Sequence, residues 1–335
     1  MKMTTKILAG AFFALAFAVA TGCTPVKRGE YAKGSATIYC DDGFKNILEE
    51  EIEVFEYSYP ESSIIPFYMG ETDVIDTLLG DKTQAIITTR MLDKEQVKYM
   101  KDKYKRVVRQ ECIAVDAVAL IVNKKNPVGA LSTDEIKKIM NGEINRWDQL
   151  AGNDTTSIKL VFDNAASSTV SYMRDRFLPK GAKITDKARA FGQKDNAAVF
   201  DVVKTDPDAL GIISVSWLGD NLQNARKVPV DQRMDSYKNE ADTVAPSLTT
   251  EVNIIKVSSP TADNDFSPVA YKPYQAYIYS GEYPLVRKVY MVSTASNSTV
   301  LHSFYVFMTG FVGQKIISLT GILPYHMNPR VVEVK

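Results

Sequence analysis

The sequence predicts an α/β fold built on a largely parallel, helix-covered sheet. Three observations carry the prediction. Short β-prone runs alternate with amphipathic helical patterns from residue 36 onward, polar turns separate them, and at residues 161–169 (VFDNAASST) a strand runs through a hydroxyl-rich turn directly into a helix. Alternation of this order favours parallel strands joined by helices over a sandwich of hairpins.

Residues 36–40 read as the first strand, and Phe44, Ile47, Leu48, Ile52 and Phe55 mark one face of a helix that Tyr59-Pro60 ends. Residues 64–68 are a second strand, followed by a helix with the apolar stripe Val74, Ile75, Leu78 and Leu79. Residues 85–88 are a third strand, and 93–103 a charged surface helix. Residues 113–122 (IAVDAVALIV) form a long apolar strand, able to cross between lobes, that stops at the polar run 123–127. Ser132 and Glu135 then spell a capping box ahead of Ile136, Ile139 and Met140, and Gly142 closes that helix.

The junction at 161–169 is the most informative local feature. Residues 158–162 alternate as a strand, while Val170, Met173, Phe177 and Leu178 recur at helical spacing, which puts Ser167, Ser168 and Thr169 at the N-cap and first turn. Unpaired N–H groups and the positive end of the helix dipole face outward there. Those hydroxyls either cap the helix or, with the N–H groups, bind an anion. Further on, residues 210–215 close an αβ unit and 218–268 read as loop-heavy with short strands. Residues 271–290 form a tyrosine-rich strand region, and 299–311 a strongly apolar core helix.

The N-terminus carries Lys2 and Lys6, an apolar run over 7–20, and Ala20-Thr21-Gly22-Cys23, with no acid before Cys23. This is a secretory signal over residues 1–22, and the end of it resembles a bacterial lipobox, which implies lipid on Cys23 and a lipidated tether over 23–34. Removing the signal leaves 38 basic against 40 acidic residues, so no nucleic-acid footprint follows from charge. The remaining chain, roughly 310 residues, exceeds one ordinary domain and suits two. Cys40 and Cys112 read as free thiols rather than a disulfide. With two histidines, no close cysteine pair and no G-x-S-x-G, Walker or dinucleotide motif, the expectation is a monomeric binding protein without cofactor, metal or catalytic residue.

Five segments in order carry a family resemblance: residues 119–150 (ALIVNKKNPVGALSTDEIKKIMNGEINRWDQL), SSTVSYMRDRF from Ser167, LGIISVSW from Leu210, YPLVRKVY from Tyr283 and GQKIISLTGILPY from Gly313. Together they resemble the phosphate-binding proteins that feed ABC importers. The resemblance implies a two-lobed periplasmic-binding-protein fold of type II with two crossover strands. Lobe 1 would comprise 35–118 plus 218–335 and lobe 2 residues 119–217, closing on phosphate or a related oxyanion. It also implies an ABC permease as partner and a lipid-anchored position in the cell envelope, facing the periplasm. Its ligand loops map onto 40–44, 69–72, 88–90 and 163–169, all at strand-to-helix junctions where open α/β sheets bind ligands. The implied ligand residues are Asp41, Asp42, Gly70, Glu71, Thr88, Thr89, Arg90, Asp163, Ser167, Ser168 and Thr169.

The chain departs from the family pattern in its charges. Asp163 stands where the family has arginine, Thr89 where it has an acid, and Asp41, Asp42 and Glu71 where small or hydroxyl residues are expected. An unpaired carboxylate about 4 Å from a unit anion, at an effective dielectric near 20, repels it by roughly 4 kcal/mol. Either the acids cap helices and point away, or Arg90 neutralises them, or the ligand differs. Two alternatives therefore stand beside the oxyanion. One is a cationic ligand (amine, basic peptide or hard metal ion) held by Asp41, Asp42, Glu71 and Asp163. The other is an envelope interaction protein using a surface around Tyr271, Tyr274, Tyr277, Tyr279 and Tyr283.

Overall fold

A computed structural model of the protein describes residues 32–151, 155–182, 184, 188–239, 246–259 and 269–327. The expected signal sequence, Cys23 and most of the tether lie outside them. The first third of the fold follows the expected alternation. β1 (Gly34–Asp41) leads through a 3-10 turn, Asp42–Phe44, into α1 (Lys45–Ser58), followed by β2 (Ser62–Met69), α2 (Glu71–Leu79), β3 (Ala85–Thr88) and α3 (Lys94–Tyr104). β1 pairs in parallel with both β2 and β3. The apolar stripe of α2 packs with Ile86, Leu92, Met100 and Val292 into one core cluster. α3 opens on a reciprocal capping box between Asp93 and Gln96 and closes on Lys105 in the left-handed region, at φ 57.

β4 (Arg109–Val122) is the long strand the apolar run announces, and it serves two partners. After it come β5 (Ala130–Ser132), α4 (Thr133–Met140), β6 (Lys159–Phe162), α5 (Ser168–Phe177), β7 (Ala190–Gly192), α6 (Asn196–Thr205) and β8 (Ala209–Ser214). The Ser132–Glu135 capping box forms as read, and Gly142 follows α4 with φ 74. α7 (Asp220–Ala225), α8 (Val230–Lys238), β9 (Asn253–Ile254), β10 (Lys256–Ser258), α9 (Gln275–Tyr279), β11 (Val286–Ser293), α10 (Val300–Thr309), α11 (Phe311–Leu319) and β12 (Leu323–Pro324) complete the described elements.

The main sheet runs β2-β1-β3-β11-β4-β8-β6-β7. It is mixed rather than largely parallel. Two parallel triplets, β2-β1-β3 and β8-β6-β7, flank β11 and β4, because β11 enters between β3 and β4 and runs against both. β4 pairs with β11 over Arg109–Ala117 and with β8 over Val118–Val122, so one strand belongs to both halves of the sheet. β9 and β10 pair with the far end of β4 and with β5. That stretch of the expected lobe 1 thus hydrogen-bonds with strands of the expected lobe 2.

Two further sequence expectations change. The loop-heavy reading of 218–268 misses α7 and α8. Their composition is polar, and tertiary anchoring holds α8: Arg233 and Tyr237 both donate to the buried Glu50 of α1, at 2.9 Å each. In the tyrosine-rich region, Tyr277 and Tyr279 lie on the short helix α9 rather than on a strand, and Tyr274 is its N-cap. Tyr283 is fully buried and donates to Val118 O at 2.8 Å. The apolar helix expected over 299–311 is α10, with Thr299 as its N-cap and Gly310 as its C-cap. α11 follows at once and packs closely on it: a Cβ at Gly313 would lie 2.5 Å from Met308 Cα. Cys40 and Cys112 are both free. Among the described residues no helix is long and apolar enough to cross a membrane.

Candidate ligand site

The strand-to-helix junctions converge on the N-terminus of α5. Ser167 is its N-cap, its hydroxyl accepting from Val170 N at 3.1 Å and donating to the Asp163 carboxylate. Asn196 Nδ2, at the start of α6, donates to the other Asp163 oxygen at 3.0 Å. Ser168 reaches across to the end of β1. Its N–H and its hydroxyl donate to the two oxygens of Asp41, at 3.0 and 2.9 Å. Asp41 also accepts from Gly43 N at 3.0 Å, as the cap of the 3-10 turn. Neighbouring Asp42 accepts from Asn164 Nδ2 at 2.8 Å through one oxygen, and its Oδ1 has no hydrogen-bond partner among the described residues.

The loops after β2 and β3 form a second cluster. Glu71, in the first turn of α2 and 1 % exposed, accepts through Oε1 from Thr88 Oγ1, Thr89 N and Thr89 Oγ1, each at 2.7 Å. Arg90 Nε stands 3.7 Å from Glu71 Oε2 with its side chain half exposed. The donors expected of Thr88 and Thr89 are therefore engaged by Glu71, and Arg90 offsets that acid alone. Gly70 lets the loops touch: a Cβ there would meet Ala166 Cβ at 2.6 Å and Asn164 Oδ1 at 2.7 Å, while Thr72 N donates to Ala166 O at 3.3 Å.

The charge that balances the Asp41 side is Arg287, which the sequence reading did not single out. Arg287 on β11 lies directly opposite Asp116 on β4. Its Nε donates to Asp116 Oδ2 at 2.9 Å and its Nη1 to Ser168 Oγ at 3.0 Å. Ser214 Oγ donates to the other Asp116 oxygen at 2.9 Å, and the Phe44 ring covers the guanidinium at 5.4 Å. Both charged groups are buried, which only pairing and hydrogen bonding make tolerable. One signal was present: Asp116 is the lone acid of the apolar run 113–122, and a buried acid calls for a cation. Among the buried groups without a hydrogen-bond partner among the described residues are Arg287 Nη2, Thr169 Oγ1 and Tyr172 OH, the last two on α5, and Asn196 Oδ1.

Burial dominates the electrostatics. It raises Asp41 to about 8, with Asp42 and Glu71 adding to the rise and Arg287 opposing it. Asp42 rises to about 7 through burial and the Asp163 charge, against the hydrogen bond from Asn164. Asp163 rises to about 6 by burial, held down by Ser167 and Arg287. Burial also raises Asp116, with Arg287 and Ser214 opposing. Values of about 8 and about 7 place Asp41 and Asp42 where a nearby charge can change their protonation near neutrality.

A family model described as a PBP superfamily domain matches residues 26–311, most of the chain. The chain belongs to the PBP superfamily. Among its relatives, the phosphate-binding protein PstS of Borreliella burgdorferi is 23% identical over 285 residues, covering 83% of this chain and 85% of the relative. PstS of Bacillus subtilis is 30% identical over 133 residues, 40% of this chain and 41% of the relative. Within the superfamily, the fold matches a putative phosphate ABC transporter substrate-binding protein of Clostridium perfringens solved with bound phosphate. That match has a TM-score of 0.66 at 21% identity, covering 87% of this chain and 99% of that one. A phosphate transport receptor from Vibrio cholerae matches with a TM-score of 0.58 at 20% identity, over 87% and 99%. Membership in a superfamily of binding proteins makes the chain a binder of solutes rather than an enzyme.

Proposed function

We propose that this protein is a lipid-anchored, extracytoplasmic solute-binding protein that captures phosphate or a related oxyanion for an ABC importer. Residues 35–118 with 218–335 and residues 119–217 act as the two lobes that close on the ligand. Cys23 carries the lipid, the chain acts as a monomer, and a permease of the importer is its partner. The observation that carries the reading is the set of donors at α5. Ser168 N and Oγ donate to the Asp41 carboxyl, Arg287 donates to Ser168 Oγ, and the next residue, Thr169, has a buried hydroxyl without a partner among the described residues. A helix N-terminus beside a buried guanidinium is an anion site by its electrostatics. Asp42 Oδ1, without a partner, is suited to accept the proton of a partly protonated phosphate.

The cationic alternative is less favoured because Asp41, Asp163 and Glu71 already accept hydrogen bonds from N–H and O–H groups of the protein, although Asp42 keeps one oxygen without a partner among the described residues. Among the described residues, no group of histidines, cysteines and acids is arranged to hold a metal ion. Calorimetry with phosphate across pH 5 to 8, together with a thermal-shift series of phosphate, arsenate, calcium and spermidine, tests the reading. Stabilisation by the oxyanions alone supports it, and a response to calcium or spermidine without one to phosphate ends it.

A further inference from the structure

The N-terminus of α5 already holds an oxyanion, and that oxyanion is part of the chain. The two oxygens of Asp41 take the N–H and the hydroxyl of Ser168, across 127 residues of sequence. An external anion docking on this helix end needs the same two donors. A carboxylate also leaves part of the site unused. Thr169 Oγ1, on the residue after Ser168, and Arg287 Nη2, on the guanidinium that bonds Ser168, are buried with no hydrogen-bond partner among the described residues, so Asp41 leaves two donors unengaged. That surplus fits a ligand with more oxygens than Asp41 offers.

We propose that Asp41 is a built-in competitor for the anion site: its carboxylate latches β1 to α5, and an oxyanion enters only as Asp41 withdraws or takes up a proton. The proposal rests on the reading of the cleft as an oxyanion site. Capture is then an exchange of one anion for another, not the filling of a bare pocket. Charge supports the exchange. The groups facing Asp41 are Cys40 and Asp42 on its own strand and turn, Glu71 from α2, Asp163 from the end of β6, and Arg287 from β11 with its partner Asp116 on β4. Arg287 is the one cation in this set, and Asp116 already shares it. An arriving anion therefore raises the hold of Asp41 on a proton, and a protonated Asp41 becomes a donor toward the ligand instead of its rival.

Two variants test this. Asp41→Asn keeps the shape and removes the charge, and calorimetry with inorganic phosphate at pH 6 and pH 8.5 should show it binding at least roughly tenfold more tightly than wild type at the higher pH. Wild-type affinity should fall as the pH rises, and the variant's should fall less. Asp41→Ala removes the latch. Small-angle scattering of phosphate-free protein should give a larger radius of gyration for this variant than for wild type, with circular dichroism confirming that both are folded. An Asp41→Asn affinity equal to or weaker than wild type overturns the proposal, because Asp41 would then serve the ligand instead of competing with it. Equal radii for Asp41→Ala and wild type overturn the latch. If no protein gives heat with phosphate at either pH, the oxyanion reading fails, and the scattering comparison still decides the latch.

Discussion

Arg287 and Asp116 face each other in register on β11 and β4, joined Nε to Oδ2 at 2.9 Å with both side chains buried. The guanidinium extends from that pair to Ser168, so the charge that steadies the sheet also reaches the proposed ligand site. Arg287→Met strands Asp116 in the apolar interior and should cost about 3–5 kcal/mol in urea unfolding, whereas the double variant with Asp116→Asn should recover most of that loss. Phosphate binding should be lost in both, because the recovered stability brings back no cation.

Stability should fall as pH rises. Asp41, Asp42 and Asp163 hold protons up to about 8, 7 and 6, against 3.8 for a free aspartate. The folded protein therefore binds protons that the unfolded chain has released. The resulting stabilisation is complete below about pH 4 and is lost as pH rises through the folded values. A calorimetric melting temperature lower by on the order of 5 °C at pH 8 than at pH 5 is expected. Asp41→Asn should flatten the upper part of that slope.

Glu71 holds the loop after β3 by three hydrogen bonds to one oxygen. Glu71→Ala leaves the buried Thr88 hydroxyl without its acceptor and should cost about 1–3 kcal/mol in denaturant unfolding. Arg90, half exposed, should contribute little: Arg90→Gln is expected to stay within about 0.5 kcal/mol of wild type.

Gly70→Ala places a methyl group into Ala166 and Asn164. The loops must separate, so phosphate affinity should fall by roughly tenfold or more while the melting temperature changes by only a few degrees. A variant with unchanged affinity would show that these loops need not meet when ligand is held.

Ser132→Ala removes a cap far from the site in sequence and role. It should cost about 1 kcal/mol of stability and leave phosphate affinity unchanged, which makes it the control for the others.

Much of this fold was legible because its signals are local. Helical spacing and a cap residue suffice to find α4 or α5, and the serines at the start of α5 identify the helix end where donors gather. What was not legible depends on partners distant in sequence. Arg287 meets Asp116 across 171 residues, and nothing in the strand around either one names the other. For α8, polar composition suggested a loop, and contacts with residues distant in sequence hold the helix: Arg233 and Tyr237 with Glu50, Arg233 with Glu53, and the burial of Met234. The roles of the acids were open in sequence because their direction, toward donors of other loops, is a property of the assembled site.

β4 changes partners between Ala117, which faces β11, and Val118, which faces β8, and Asp116 sits one residue before that change. The residue that tunes the charge of the cleft is thus adjacent to the place where the two halves of the sheet are joined. A substitution at this pair that changed the charge beside Ser168 would therefore also disturb the joint between the two halves of the sheet. Diversification of ligand choice should then favour the peripheral loops, where substitutions leave the joint untouched.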